Sequence, residues 1–272
     1  DVIHTHRYVL PYAFLASMGF KAKRVHTVHN VAQKEQTKVG KSINRVLFRY
    51  FNVVPVALSE EIQRTIQEVY GLPDNRIPVV FNGIDLSRCI VKESYARKDS
   101  FTVLHIGRFM DVKNHELLLR SFARFKGQHS DARLQLLGDG ELKENMMRLA
   151  GQLNITDAVE FAGLQSNVYP WLHSADVFVL PSKFEGMPMT LIEAMGTGLP
   201  IIASNVGGIP DMLANKKEAL LIQPSEDCII EALELLYNDE DKRAYLGQNA
   251  LQKSAAFSAQ TMARDYADVY MN

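Results

Sequence analysis

Residues Ala175 to Met212 have the sequence ADVFVLPSKFEGMPMTLIEAMGTGLPIIASNVGGIPDM, and this stretch decides the fold. Its first apolar run, at 177–180, is typical of a buried parallel strand. Pro188 predicts the first residue of a helix that Gly198 ends. A second apolar run, at 201–204, predicts the next strand. Strand, loop, helix and strand make a βαβ unit, and ligands of open α/β sheets bind at the loop edge of such a unit.

Two acidic residues lie in this unit, Glu185 in the loop and Glu193 eight residues later in the helix. A carboxylate accepts two hydrogen bonds and therefore suits a diol such as a ribose or a hexose. Either Glu alone is more commonly a solvated or capping residue, but the whole pattern favours a ligand site. The backbone N–H groups expected at the helix start, which suit phosphate or sugar hydroxyls, belong to Gly186, Met187, Met189 and Thr190.

Composition limits the classes of protein to which the chain belongs. The 272 residues are 47% apolar and 22% charged, which is typical of a globular protein with room for two cores. Since 30 basic and 31 acidic residues leave a net charge of −1, no general attraction to nucleic acid is predicted. No apolar run approaches the roughly 20 residues of a membrane span. Cys89 and Cys228 lie far apart and do not form a metal motif, which favours a reducing cytoplasm.

The first half of the chain alternates between predicted strands and helices. Because the chain starts with Asp1 inside a predicted strand rather than with Met, we expect a fragment whose first domain lacks its beginning. A predicted helix at 42–50 carries Arg45 and Arg49 on one side, which is typical of a solvated face, although a helix beside a membrane has the same pattern. The other expected elements are strands at 2–6, 24–30, 52–58 and 77–81, helices at 11–18 and 60–70, and a polar loop at 32–40.

Four histidines lie near the ends of the first two predicted strands: His4, His6, His26 and His29. No acid or Cys accompanies them at ligand spacing, so a metal site is not expected. A wall of hydrogen-bonding groups with one His near a reacting centre fits better, because His titrates near neutral pH. For His29 a catalytic and a structural role stay equally open, while a structural role is favoured for the other three.

The second half is a regular alternation of strands and helices with about six strands. A strand at 101–106 ends in Gly107 and Arg108, and Lys113 follows before a helix. Arg and Lys at the carboxyl end of a strand suit the clamping of a diphosphate. The next strand, at 134–137, is followed by the tight turn Gly138-Asp139-Gly140, which is a weak signal alone. Together the halves predict two α/β domains.

These motifs, in this order, resemble those of the retaining GT4 glycosyltransferases, the "group 1" family. They are NGID at 82–85, GR at 107–108 with Lys113, GDG at 138–140, and EGMPMTLIEAMGTGLPIIASNVGGIPDML at 185–213, which contains the E-x7-E element. The resemblance covers the whole chain. It implies a GT-B fold of two Rossmann-like domains, of which the first is incomplete. The implied segments are an acceptor-side domain at 1–83, a nucleotide-sugar domain at 84–255, and a helix at 256–272 that returns to the first domain.

The resemblance also implies a role for each matching residue. Arg108 and Lys113 would hold the donor diphosphate, Glu193 the ribose, and Glu185 would lie by the donor sugar. His29 would lie near the transferred sugar, and main chain around Leu164 near the base. The remaining donor-site positions are Gly107, Gly138 and the helix-start amides of Gly186, Met187, Met189 and Thr190.

The implied reaction transfers a hexose, with retention, from a nucleotide sugar that is expected to be a UDP-sugar. The acceptor would be a saccharide or a lipid-linked saccharide of surface polysaccharide or glycolipid synthesis. No cofactor and no metal are expected, and no nucleic acid. The location implied is cytoplasmic, with peripheral contact to the inner face of the membrane.

One departure from the family pattern is Pro188, which stands where many relatives have Gly and offers no N–H to a donor. Two alternatives stay open. A GT-B nucleotide-sugar epimerase or a phosphorylase would need further acids or a lysine that carries pyridoxal phosphate, and we identify neither. A non-catalytic nucleotide-sugar-binding module or partner subunit is favoured if the natural protein also starts at Asp1. Without its first strands, this chain is expected to retain mainly donor binding.

Overall fold

A computed structural model describes residues 1–29, 31–97 and 99–272, with all side chains except that of Lys34. Contacts divide the described chain into two compact units. The first consists of Asp1–Gly83 and Ala259–Asn272, and the second of Ile84–Ser258. Each unit is built on a parallel sheet flanked by helices.

The first unit has a parallel sheet with the strand order β1-β2-β3. The predicted helix at 60–70 is confirmed, and the Ser59 hydroxyl caps it by accepting a hydrogen bond from the Ile62 N–H at 3.2 Å. The elements up to Gly83 are β1 (Val2–His6), α1 (Leu10–Ala16), β2 (Lys23–Val28), α2 (Ala32–Glu35), α3 (Lys38–Tyr50), β3 (Val53–Ala57) and α4 (Glu60–Tyr70).

The polar loop predicted at 32–40 is wrong. This segment contains α2 and the first turn of α3, which Thr37 caps by accepting a hydrogen bond from the Gly40 N–H. Ala32 and Glu35 point inward and are buried, and α2 packs against α4. The polar composition of this segment therefore gave no pattern that predicts α2, which is stabilised by its packing against α4.

The strand predicted at 77–81 is also wrong, and the strand predicted at 24–30 is shorter. Within 77–81 only Val79 pairs with a strand residue, Ala57, as a single bridge. Pro78 has no N–H to donate, so it cannot continue a ladder, although its carbonyl accepts from the Ala57 N–H at 3.0 Å. Strand β2 ends at Val28, and Asn30 lies outside the described residues.

The second unit has a parallel sheet with the strand order β6-β5-β4-β7-β8-β9. Four phenylalanines with no exposed surface, Phe101, Phe109, Phe122 and Phe125, lie in its core. Its elements are β4 (Phe101–Ile106), α5 (His115–Lys126), β5 (Ala132–Leu137), α6 (Lys143–Gln152), β6 (Val159–Gly163), α7 (Tyr169–Ser174), β7 (Val177–Leu180), α8 (Met189–Thr197), β8 (Ile201–Ser204), α9 (Ile209–Met212), β9 (Leu220–Ile222), α10 (Glu226–Asn238) and α11 (Glu240–Ser254). The last helix, α12 (Ala259–Met271), packs its Met262, Tyr266 and Val269 against the first unit's core.

The βαβ unit predicted at 177–204 is confirmed, because β7 and β8 pair in parallel and α8 connects them. One detail differs. Pro188 is not the first helical residue but the residue before it, with φ −74° and ψ 119°. Its carbonyl accepts from the Leu191 N–H at 3.1 Å, so the helix starts at Met189.

Directly after β4 and after β5, backbone hydrogen bonds to the last residue of the neighbouring strand hold the three strands together. The Gly107 N–H donates to the Leu137 carbonyl at 2.9 Å, and the Gly138 N–H donates to the Gly163 carbonyl at 2.8 Å. Gly138 has φ +135°, and a Cβ on it would lie 2.1 Å from the Gly107 carbonyl oxygen. Only glycine can therefore occupy position 138, where the two backbones are this close.

No helix in the described ranges is long and apolar enough to cross a membrane.

We predict that Gly138→Ala destabilises the second unit by at least about 2–3 kcal/mol, because a Cβ collides with backbone at a positive φ. The matched control is Gly151→Ala. Gly151 lies in α6 with nothing within 4 Å of its Cβ position, so its replacement is expected to stabilise by about 0.5–1 kcal/mol. The probe is the fluorescence of Trp171, the chain's only Trp, during urea unfolding. Equal effects of the two substitutions would contradict the prediction.

Candidate functional site

A cleft of about 610 Å³ opens at the carboxyl ends of β4, β5 and β6. This is the edge at which open parallel sheets bind ligands. Four predicted donor-site residues line it, together with residues of the segment before α7: Gly107, Arg108, Gly138, Leu164, Gln165 and Val168. The structure therefore brings residues from three separate predicted motifs into one cleft.

Arg108 is the cation of this cleft. Its side chain is 68% exposed, and its guanidinium lies 3.6 Å from the Glu141 carboxylate, which is 63% exposed. Exposed ion pairs contribute little to stability. The Arg108 guanidinium is thus accessible to an anionic ligand and is not held in a structural pair.

Two buried histidines lie under the Gly107 backbone. Nδ1 of His105 donates to the Val179 carbonyl at 2.8 Å, and His115 stacks on Phe109 with ring centroids 4.1 Å apart. Burial lowers the pKa of His105 to about 4 and lowers the pKa of His115 further, so both rings are neutral at pH 7. A Cβ on Gly107 would lie 2.9 Å from the His105 Nε2. Gly107 is therefore needed where the backbone passes over these rings.

Lys113 and Glu185 form an ion pair beside the cleft. The Lys113 Nζ lies 2.7 Å from Oε1 of Glu185, and the Ser182 hydroxyl donates to the same oxygen at 2.5 Å. The Glu185 side chain is 9% exposed and that of Lys113 18%. Because Lys113 also packs 3.4 Å from the Cβ position of Gly107, the pair adjoins the cleft.

Backbone contacts fix the loop that carries Glu185. The Lys183 N–H donates to the Val112 carbonyl at 2.8 Å, and the Gly208 N–H donates to the Glu185 carbonyl at 3.0 Å. A Cβ on Gly207, which has φ +55°, would lie 1.9 Å from that carbonyl oxygen. The Gly-Gly turn after β8 therefore determines where the loop after β7 can lie.

Glu193 occupies a separate environment on α8. Burial raises the pKa of its carboxyl, and the positive charge of Arg88 opposes that shift. The Arg88 guanidinium lies 5.3 Å from the ring centroid of Tyr169, the residue next to Val168 of the cleft. A ligand-binding role for Glu193 stays a prediction.

The structure groups the predicted site residues unequally. Gly107, Arg108, Gly138 and Leu164 line the cleft, and Lys113 and Glu185 form their pair beside it. Glu193 and the residues around the start of α8 are outside the lining that the described residues form: Gly186, Met187, Met189 and Thr190. Three neighbours of these residues were not predicted from the sequence: Ser182, His105 and His115. Ser182 offered one signal, because it directly follows a buried strand and precedes an acid by three residues.

Two histidines for which a structural role was favoured, His4 and His26, have hydrogen-bonded rings. His4 contacts the Tyr270 hydroxyl and the Thr27 hydroxyl, each at 2.8 Å, and Nδ1 of His26 lies 2.9 Å from the Thr5 hydroxyl. Burial lowers the pKa of His4 to about 4 and that of His26 to about 3. Among the described residues, no group of three or more His, Cys, Asp or Glu could hold a metal.

His29 contacts two titratable side chains. Its Nε2 lies 2.9 Å from Nδ1 of His6, and its backbone N–H donates to Oε1 of Glu35 at 2.8 Å. Burial lowers the pKa of His29, and burial raises the pKa of Glu35 to about 7. A catalytic role for His29 stays a prediction.

We predict that the Lys113–Glu185 pair is energetically coupled. Lys113→Met leaves a buried carboxylate without its cation and is expected to destabilise the second unit by about 3 kcal/mol. Glu185→Gln leaves a buried ammonium without its anion and is expected to destabilise the unit by a similar amount. The double variant is expected to be destabilised by less than the sum of the two single variants. The measurement is a double-mutant cycle on urea unfolding followed by Trp171. A coupling below about 0.5 kcal/mol would contradict the pairing.

We predict a pH dependence of stability that Glu35 causes. Between pH 4.5 and about 7 the folded chain holds a proton on Glu35 that the unfolded chain releases, so this contribution falls as pH rises, by on the order of 3 kcal/mol. His4 and His26 have the opposite effect. Because their pKa values are lowered in the folded chain, the unfolded chain takes up protons first, and stability falls as pH falls below 6.5. Subtracting the profile of Glu35→Gln from that of the unaltered chain isolates Glu35. The exposed Glu68→Gln is the control, and a flat difference would count against the prediction.

Two family models match the chain. The model described as "Glycosyl transferases group 1" matches residues 89–253, and that described as "Glycosyltransferase Family 4" matches residues 1–88. A Campylobacter jejuni relative, N-acetylgalactosamine-N,N'-diacetylbacillosaminyl-diphospho-undecaprenol 4-alpha-N-acetylgalactosaminyltransferase, is 28% identical over 200 residues, which are 72% of this chain and 54% of the relative. The Escherichia coli UDP-Gal:alpha-D-GlcNAc-diphosphoundecaprenol alpha-1,3-galactosyltransferase is 29% identical over 269 residues, which are 88% of this chain and 67% of the relative.

The chain thus spans about half the length of the Campylobacter relative. Among solved structures, Anabaena Alr3699/HepE in complex with UDP superposes with a TM-score of 0.88 at 18% identity, covering 99% of this chain and 78% of the other. This likeness confirms the GT-B fold that the sequence motifs predict. From the match over residues 89–253, we conclude that the chain belongs to the glycosyl transferases group 1 family.

Proposed function

We propose that the protein is a glycosyltransferase that transfers a hexose from a UDP-sugar to a saccharide or lipid-linked saccharide, with retention at the anomeric carbon. The observation that carries the proposal is the cleft at the carboxyl ends of β4, β5 and β6, with Arg108 in its lining and the Lys113–Glu185 pair beside it. Family membership supports the reaction class. The UDP-Gal donor and the diphosphoundecaprenol-linked acceptors in the names of two relatives support the substrate classes.

In this proposal the cleft holds the nucleoside diphosphate. Leu164 and Gln165 face the base, where an exposed apolar side chain and an amide suit a flat polar ring. Arg108 and Lys113 contact the phosphates, because a guanidinium and an ammonium offset the charge that develops on the departing diphosphate. Leaving-group stabilisation by these two cations needs no metal.

Glu185 has two roles in the proposed mechanism. Its pairing with Lys113 positions the ammonium. In the proposed complex its carboxylate lies by the donor sugar. Ser182 holds the same carboxylate oxygen, so the acid keeps one orientation. Glu193 accepts hydrogen bonds from the ribose diol, and the backbone N–H groups around the start of α8 meet the sugar or the β-phosphate.

The test is calorimetric titration of this chain with UDP, GDP and ADP. We expect selective UDP binding that weakens by about 1.5–3 kcal/mol in Glu193→Ala, the range for a hydrogen bond to a charged group. The control is Glu231→Ala, because Glu231 is an exposed acid on α10, a helix that contributes no residue to the cleft lining. Unchanged affinity in Glu193→Ala would reject the ribose role. A folded chain that binds none of the three nucleotides would reject the donor site.

A further inference from the structure

The ammonium of Lys143 lies beside the cleft, at the carboxyl end of β6. Its Nζ is 3.8 Å from the position that a Cβ on Gly163 would take. Gly163 is the last residue of β6, and Leu164, which follows it, lines the cleft and is 78% exposed. Lys143 is therefore next to the part of the cleft that faces the base in the proposed complex.

Backbone contacts fix the start of α6, where Lys143 is the first helical residue. The Phe109 N–H donates to the Asp139 carbonyl at 3.0 Å, and the Leu142 N–H donates to the Phe109 carbonyl at 3.1 Å. Gly140 has φ +153°, and a Cβ on it would lie 2.6 Å from the Phe109 carbonyl oxygen. The turn before α6 is thus held against the segment after β4, and it determines where the backbone of Lys143 lies.

Helix stability does not explain a lysine at this position. A cation at the amino end of a helix opposes the helix dipole, whereas the exposed Glu144 beside it has the favourable charge for this end. The Lys143 side chain is partly buried, and no residue in the described part of the chain forms a hydrogen bond or an ion pair with its ammonium. The ammonium is therefore available to a ligand in the cleft.

Gln165 provides a hydrogen-bond acceptor on the same side of the cleft. It lies two residues after Gly163 and lines the cleft. Its Nε2 donates to the Ala162 carbonyl at 2.6 Å, and no described residue donates to its Oε1. The segment after β6 and the start of α6 thus present an ammonium that donates, an amide oxygen that accepts, and the apolar side chain of Leu164.

We propose that Lys143 makes the cleft selective for keto bases, by donating a hydrogen bond to the carbonyl oxygen of the base, which is O4 in uracil. Uracil carries an N–H next to this oxygen, and this N–H suits the Gln165 Oε1. Cytosine and adenine have an amino group in place of the oxygen and lack the neighbouring N–H. Each would therefore place a donor against the ammonium and leave both protein groups unpaired.

This inference rests on the proposed function and names the residue that would discriminate between bases. Guanine and hypoxanthine have the same keto edge as uracil, so the size of the base, and not Lys143, would separate UDP from GDP. Lys143 would instead separate UDP from CDP and IDP from ADP. In each of these pairs the sugar and the diphosphate are identical, so a difference in affinity reports the edge of the base alone.

The test is calorimetric titration of this chain with UDP, CDP, IDP and ADP. We expect the unaltered chain to bind UDP about tenfold or more tightly than CDP, as a hydrogen bond to a charged group allows, and IDP more tightly than ADP. Lys143→Met keeps an unbranched side chain without the ammonium, and it is expected to reduce the UDP preference to less than about threefold by weakening UDP binding. Lys143→Arg retains N–H donors and is expected to keep the preference.

The matched control is Arg148→Met, which removes a positive charge from the same helix at an exposed position outside the cleft lining and leaves the preference unchanged. Urea unfolding followed by Trp171 verifies that each variant is folded. An unchanged ratio of UDP to CDP affinity in Lys143→Met would overturn the inference and leave the donor site intact. Equal weakening of UDP and CDP would also overturn it, because the ammonium would then act on the diphosphate. A folded, unaltered chain that binds no nucleotide would reject the donor site and this inference together.

Discussion

Close backbone contact between loops at the carboxyl edge of the second sheet is the constraint on which the candidate site depends. Gly138 lies against the Gly107 carbonyl, and Gly207 lies against the Glu185 carbonyl, where a Cβ would approach to 2.1 and 1.9 Å. Side chains at these positions would separate the loops. The cleft wall and the position of Glu185 therefore both follow from glycines that let main chain meet main chain.

The electrostatics of the site follow from how each charge is held. Lys113 has a buried acidic partner and a fixed position, whereas Arg108 is exposed and weakly paired. The two histidines under Gly107 are buried and neutral, so they pack beneath this backbone without adding charge. The cleft therefore has one exposed cation in its lining and one fixed cation beside it. In the proposed function, these two cations would bind a diphosphate that must later leave.

The different sides of helix α3 in the first unit have different surroundings. Helix α3 buries Leu47 and Phe48 on one side, whereas its apolar Val39 and Tyr50 and its cationic Arg45 and Arg49 are exposed. Although the whole chain has a net charge of −1, residues 1–52 contain nine Lys or Arg and only two acids. Elsewhere in the first unit the His4, Thr27, Tyr266 and Tyr270 side chains share hydrogen bonds, which join α12 to the sheet.

The sequence by itself determined the features that depend on near neighbours in the chain. The β7-α8-β8 unit, the Ser59 cap and the glycines that end strands were predictable, because apolar spacing and local hydrogen bonds act within a few residues. The motif order also indicated Arg108, Lys113 and Glu185 as site residues. The helix at Ala32–Glu35 and the interruption at Pro78 were not predicted, since both depend on contacts with α4 and β3.

Only the tertiary structure decided which of these residues meet. Lys113 and Glu185 are 72 positions apart, and they pair because β4 and β7 are neighbours in the sheet. His105 contacts Val179 for the same reason. Strand order is set by the packing of the whole unit and not by any local pattern, so a sequence names candidate residues while the fold places them together.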